Sequence, residues 1–437
     1  MTDVPAAVPQ PARRRPRLPI GGLVAATEID LRLFGMVVAL AAIVLGFGAL
    51  TGGRYLEPQN LLALSVQTAA VAIIATGMVL VIVSRNIDLS VGSIVGVVAM
   101  SYALLMTDIL PDFIPLGHPL MWIVALAIGL AIGAAIGGIQ GFIIAYVGVP
   151  SFIVTLGGLL IFRGLVWVLS SGASVSGLDP TFALLGGGPL GSIGGTASWA
   201  VGIVICLGIV GLMAYNRRQR GKFGFTVRPM WAEVLVTAIS CGATLALVGI
   251  ANSYLWPPGL ANRYAVENGI SVPAGGTLRI ESGIPWPLVL VLVVALVMTF
   301  IATRRRFGRY VFAIGGNPEA AELAGINTRW TIMKTYILMG LLCGLSAAIA
   351  AARLNGSTLD VGSGYELYVI AAAVIGGTSF AGGIGTIPGA VLGALVMQSL
   401  AYGLSFIGLS SPVQNMVAGL VLILAVGFDS YNRRRSA

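Results

Sequence analysis

The chain has 437 residues, of which 57% are hydrophobic and only 9% charged. Soluble domains carry about 25% charged residues, so this chain cannot cover a water-facing surface. The composition argues against a soluble enzyme, a disordered protein and a secreted disulfide scaffold, and for an all-α polytopic membrane protein. Sixty glycines follow no collagen period and suit transmembrane helices. Cys206, Cys241 and Cys343 lie in apolar runs, no CxxC occurs, and His118 is the single histidine. No metal site is expected. The net charge of +9 reads as membrane orientation, not as nucleic-acid binding.

Residues 1–32 are rich in Pro and Arg and read as a disordered basic tail. About twelve apolar segments of spanning character follow, over 33–50, 60–83, 91–107, 120–146, 152–170, 196–215, 231–250, 287–303, 331–352, 367–378, 387–404 and 413–428. The first is read as an uncleaved span, because the run is long and no A-x-A-like site follows it. A membrane domain therefore covers 33–429, with a basic tail over 430–437. With both termini on the cytoplasmic side, twenty of the 25 Lys and Arg fall in cytoplasmic segments. Four (Arg54, Arg263, Arg279 and Arg353) fall outside, and Arg163 lies within a span. That asymmetry fixes the expected orientation.

Gly129, Gly133, Gly137 and Gly141 recur every four residues, as do Gly385, Gly389 and Gly393. Each string lines one helix face, where backbones can approach closely. Each also falls on the third span of a four-span unit, 60–170 and 331–428. Three intervening spans within 196–303 would invert the second unit, giving an inverted repeat. The alternative is two unrelated glycine-rich helices, but the corresponding places of the two strings favour the repeat.

Asn86, Asp88, Ser90 and Ser93 cluster where the second span breaks before the third. They can line a translocation pathway, or Asp88 and Ser90 can cap the helix that begins near Val91. Arg163 must face the bundle interior, snorkel or find a partner. Glu233 reads as a charge at a helix start. Between 304 and 330, Asn317 fits an N-cap with Pro318 after it, Glu319 suits the first turn, and Gly325 can end the turn. This predicts a short polar-face helix with small residues on its surface, suited to a groove in another protein. No P-loop, HExxH or G-x-S-x-G occurs, so no catalytic residue is expected and the chain has no P-loop of its own for ATP.

Four stretches carry a family resemblance. Gly77–Gly96 reads GMVLVIVSRNIDLSVGSIVG, Pro150–Gly172 reads PSFIVTLGGLLIFRGLVWVLSSG, Gly308–Asn327 contains GGNPEAAELAGI, and Ile370–Met397 reads IAAAVIGGTSFAGGIGTIPGAVLGALVM. In this order they resemble the permease subunits of bacterial ABC monosaccharide importers of the ribose/xylose/galactose class. The resemblance implies an inner-membrane homodimer in lipid, a cytoplasmic ATPase subunit that carries ATP and Mg, and a periplasmic sugar-binding protein. It also implies that Gly316, Asn317, Pro318, Glu319, Ala320, Ala321, Glu322, Ala324 and Gly325 form the coupling helix that docks on the ATPase. Arg85, Asn86 and Ile384 depart from the pattern. Two spans around the basic loop 216–230 are additional, as in xylose-type permeases, which makes xylose the leading sugar. An ABC permease for branched-chain amino acids and a proton- or sodium-coupled carrier are the alternatives.

Overall fold

The computed structural model describes residues 31–225, 227–270 and 278–436. Residues 1–30 of the expected N-terminal tail lie outside them. Almost every described element is helical: α1 (Leu31–Leu50), α2 (Pro58–Val83), α3 (Val91–Leu104), α4 (Met121–Phe142), α5 (Ser151–Ser170), α6 (Pro180–Ala183), α7 (Gly195–Lys222), α8 (Met230–Ser253), α9 (Pro258–Glu267), α10 (Trp286–Arg304), α11 (Arg306–Gly316), α12 (Pro318–Leu323), α13 (Thr328–Leu354), α14 (Tyr365–Ile375), α15 (Ile387–Phe406) and α16 (Ser411–Ser436). Proline stands in the first turn of seven of them: α2, α6, α9, α10, α12, α15 and α16. There the missing N–H removes no helical bond and the fixed φ suits the helix.

Ten helices among the described residues are long and apolar enough to cross a membrane, not twelve. α3 reaches that length by continuing through a π-turn and a 3₁₀ turn to Asp112. The segment expected over 367–378 becomes α14, whose 11 residues span roughly 16 Å at 1.5 Å each, about half a bilayer core. Gly376 and Gly377 end it, the latter at φ +91°. The apolar part of α16, Ser411–Gly427, is also short, although the helix continues to Ser436 through the stretch expected to be a tail.

Burial sorts the helices. The most apolar 18-residue stretch of α2 is 94% buried and that of α13 67%, whereas those of α7 and α8 are each 11% buried. A helix apolar on all sides belongs in a core or in lipid, and both outcomes occur. α2 and α13 pack on each other at the centre, α4 lies along α13, and α15 lies along α2 and α14. α7 and α8 pair with each other at the periphery. Hydroxyls within the spans bond back to carbonyls of the preceding turn, as Thr68, Thr237, Thr299 and Ser399 do, which satisfies them away from water. A two-residue antiparallel pair, β1 (Val175–Ser176) with β2 (Gly356–Ser357), ties the segment after α5 to the segment after α13.

Candidate functional site

The basic face carries the segment from Arg304 to Lys334. Asn317 ends α11 and caps α12, its side-chain oxygen accepting from the Ala320 N–H at 3.0 Å. Gly325 leaves the helix at φ +80°, a conformation glycine adopts without the usual Cβ penalty. Asn327 then caps α13 by accepting from Trp330 N–H at 2.9 Å. Gly316, Pro318, Glu319, Ala320, Glu322, Ala324 and Gly325 are exposed. Ala321 is not; it is buried. Leu323 lies two positions on, roughly opposite on the helix, and is 90% exposed. An apolar side chain this exposed, at the tip of a capped helix, is the feature sequence reading missed. It can seat in a pocket of another protein, as buried anchors do.

The break between α2 and α3 lies just behind this segment. Asp88 is almost fully buried and accepts from the Ser90 N–H at 2.9 Å and the Ser90 hydroxyl at 2.6 Å. Gln140 of α4 donates to the same hydroxyl at 3.0 Å. In this connection between two spans, burial pushes the Asp88 carboxyl up to about 6, while the side-chain and backbone bonds from Ser90 pull it down. Ser93 is buried and bonds to Ser90 O. Asn86, half-buried, bonds to Ser84. Tyr336 of α13 donates to Ile87 O, and Ser151 of α5 accepts from Ile87 N–H. The four polar residues are thus brought together, but as a braced, satisfied turn; neither Asp88 nor Ser90 caps α3 with its side chain, because Asp88 bonds to Ser90, the residue before the helix.

Further charges in the spans find partners. Arg163 donates to Leu359 O at 3.1 Å and Val361 O at 3.4 Å in the turn before α14. Arg217 and Glu233 form an ion pair across the α7–α8 turn. Glu366, in the first turn of α14, was not singled out from sequence; its Oε2 is buried without a hydrogen-bond partner. Asp179, also missed, is fully buried and caps α6 by accepting from Thr181 and Phe182 N–H.

The glycine strings sit at close contacts, although Gly385 lies in the loop before α15 and not on the helix face expected to carry it. A Cβ on Gly133 or Gly137 would meet the backbone of Gly340 or Tyr336 in α13. One on Gly129 would meet the Tyr102 ring, and one on Gly141 would lie 3.0 Å from Met333 Cα. A Cβ on Gly389 or Gly393 would meet the backbone of Gly376 or Ala372, at and just before the end of α14, whereas one on Gly385 would lie 2.8 Å from a Val83 methyl. On the face opposite the basic one, cavities of about 290 and 520 Å³ share Gln59 and Tyr254 in their linings; Arg353 lines the first, Trp256 and Arg279 the second. Neither reaches Asp88.

The family of branched-chain amino acid transport system / permease components matches residues 60–426. The xylose transport system permease protein XylH of Escherichia coli (strain K12) is 36% identical over 95% of this chain and 96% of its own length. The protein of the same name from Haemophilus influenzae is 34% identical over 93% and 98%. The ribose import permease protein RbsC of Escherichia coli (strain K12) is 43% identical over 34% of this chain and 46% of its own length. No solved structure matches. With ten helices able to span a membrane and a match along nearly its whole length, the chain belongs to this permease family and, within it, to the ABC sugar permeases, most like the xylose type.

Proposed function

We propose that the chain is the membrane-spanning subunit of an ATP-driven importer that carries a monosaccharide, xylose first, delivered by a periplasmic binding protein. The observation that carries this reading is α12, a capped helix that presents Leu323 and Ala320 outward in the segment that also carries Arg304, Arg305, Arg306 and Arg309. The exposed side of such a helix suits a groove in a cytoplasmic ATPase subunit, which would supply ATP and Mg. The basic face is then the cytoplasmic one, both termini lie on it, and two copies of the permease form the transporter. The two four-helix units, 60–170 and 331–428, are read as an inverted repeat; each has a broken connection after its first helix, at 84–90 and 355–364. The named sugars of the full-length relatives support a sugar over an amino acid.

The test is uptake of labelled xylose by cells that lack their own permease and express this chain with its ATPase and binding protein. Uptake that follows cellular ATP and persists when the proton gradient is collapsed is the expected result, with labelled leucine not taken up. Uptake abolished by the uncoupler at unchanged ATP would replace this reading with the proton-coupled carrier. Uptake of leucine in place of xylose would replace it with the amino acid permease.

A further inference from the structure

Arg85 makes a contact that the transport reading leaves unexplained. It stands just past the end of α2 at φ +62°, a left-handed conformation that side chains other than glycine rarely adopt. From there its Nε donates to Gly315 O at 2.7 Å and its Nη2 to Gly316 O at 2.8 Å. These are the last two carbonyls of α11, which have no partner within the helix and stand at the negative end of its dipole. The next residue, Asn317, is the cap of α12. One guanidinium therefore grips the junction from which the docking helix projects.

The same place joins a third segment. Gly383 N–H donates to Val83 O at 3.0 Å. Gly315 lies so close to Val83 O that no Cβ fits there, and a Cβ on Gly382 would lie 2.6 Å from Arg85 Cγ. The end of α2, the α11–α12 junction and the loop between α14 and α15 thus meet backbone to backbone. The glycine contacts and the Gly383 bond hold this joint without Arg85, whose side chain is exposed and contributes little burial. What the guanidinium adds is direction. A planar fork on two adjacent carbonyls fixes orientation as well as distance, which a single ammonium cannot do. Three residues on from Arg85 is Asp88, bonded to Ser90 and, through it, to Gln140 of α4.

We infer that Arg85 is the positioning residue that transmits movement of α12 to the 84–90 break, and so links the ATPase-facing helix to the membrane core. The inference rests on the reading of α12 as the docking helix. A shift of α12 carries the Gly315 and Gly316 carbonyls with it. The guanidinium carries that shift into the turn that holds Asp88 and the start of α3.

The test uses the whole complex of permease, ATPase subunit and sugar-loaded binding protein in lipid nanodiscs, with xylose as the sugar. Arg85→Ala should assemble with the ATPase subunit at the wild-type ratio and keep the basal ATPase rate. Stimulation by loaded binding protein should fall about tenfold, with a parallel fall of sugar moved per ATP in proteoliposomes. Arg85→Lys, which keeps the charge but not the fork, should be intermediate. Wild-type stimulation and wild-type sugar per ATP in Arg85→Ala would overturn the inference, and so would loss of the ATPase subunit from the complex, which would make the role structural. If Arg85→Ala gives no monodisperse complex, Arg85→Lys decides: intermediate coupling supports the inference and wild-type coupling overturns it. Leu323→Asp, run in parallel, separates the two ideas. If Leu323→Asp fails to bind ATPase and Arg85→Ala couples normally, only the Arg85 role falls. If Leu323→Asp binds and transports normally, the docking reading falls with it.

Discussion

Glycine does opposite work in the central helices and in the α7–α8 hairpin. Along α4, α13 and α15, a Cβ on Gly133, Gly137, Gly340, Gly389 or Gly393 would run into the backbone of a neighbouring helix. Along α7 and α8, a Cβ on Gly208, Gly211, Gly242 or Gly249 would meet nothing within 4 Å. Both regions are apolar and rich in glycine, so composition alone does not distinguish them. In the centre, glycine sets the distance between helices, as small residues do wherever membrane helices pack closely. At those four hairpin positions it only forgoes a side chain, while a Cβ on Gly202 would lie 2.9 Å from a Val248 methyl of α8; the exposed faces of α7 and α8 suit lipid contact.

The largest expected effect is for Gly137→Leu. Four heavy atoms would be driven onto the Tyr336 carbonyl in the middle of α13, where neither helix can yield. Overpacking typically costs about 1–3 kcal/mol, and contact with backbone places this substitution at or above the upper end. Size-exclusion chromatography in detergent should recover little monodisperse protein. Gly389→Leu comes next. Its obstacle, Gly376, ends the short α14 beside a loop, so part of the insertion can be relieved, and yield should fall less steeply. Gly202→Ala should be milder still, because its nearest neighbour is a Val248 methyl at 2.9 Å, the end of a side chain. Gly208→Ala and Gly242→Ala should be neutral or stabilising by about 0.5–1 kcal/mol, since alanine is the better helix former. Thermal unfolding in detergent reads this as an unchanged or slightly raised Tm. A Tm loss in the hairpin variants as large as that of Gly389→Leu would erase the contrast and place another surface against α7 and α8.

Much of the fold was legible because apolar runs of spanning length leave the backbone one way to satisfy its hydrogen bonds. All twelve expected segments are helical. The one badly misjudged, 367–378, contains its own stop in Gly376 and Gly377, and apolar content hid its shortness. The caps at Asn317 and the exit at Gly325 were legible because they are local chemistry. What was not legible depends on partners far along the chain. Arg85 stood out only as a departure from a motif, since the carbonyls it grips are more than 200 positions away. Which side of α12 faces out depends on how α11 packs its buried Val311, Ile314 and Gly315. Ala321 is turned inward and Leu323 outward. Glu366 escaped notice because it opens an otherwise apolar helix and reads as a boundary charge.

If α12 seats in the ATPase subunit and drives transport, Leu323→Asp should sever the two. The side chain touches little of the permease, so the spans should fold and reach the membrane at normal levels. A charge at the centre of a docking pocket should weaken binding by 2 kcal/mol or more, on the order of thirtyfold. The measurement is co-purification of the ATPase subunit with the Leu323→Asp permease, read beside xylose uptake in the same cells. Both should be lost while the amount of permease in the membrane is unchanged. Full recovery of the ATPase subunit together with normal uptake would contradict it.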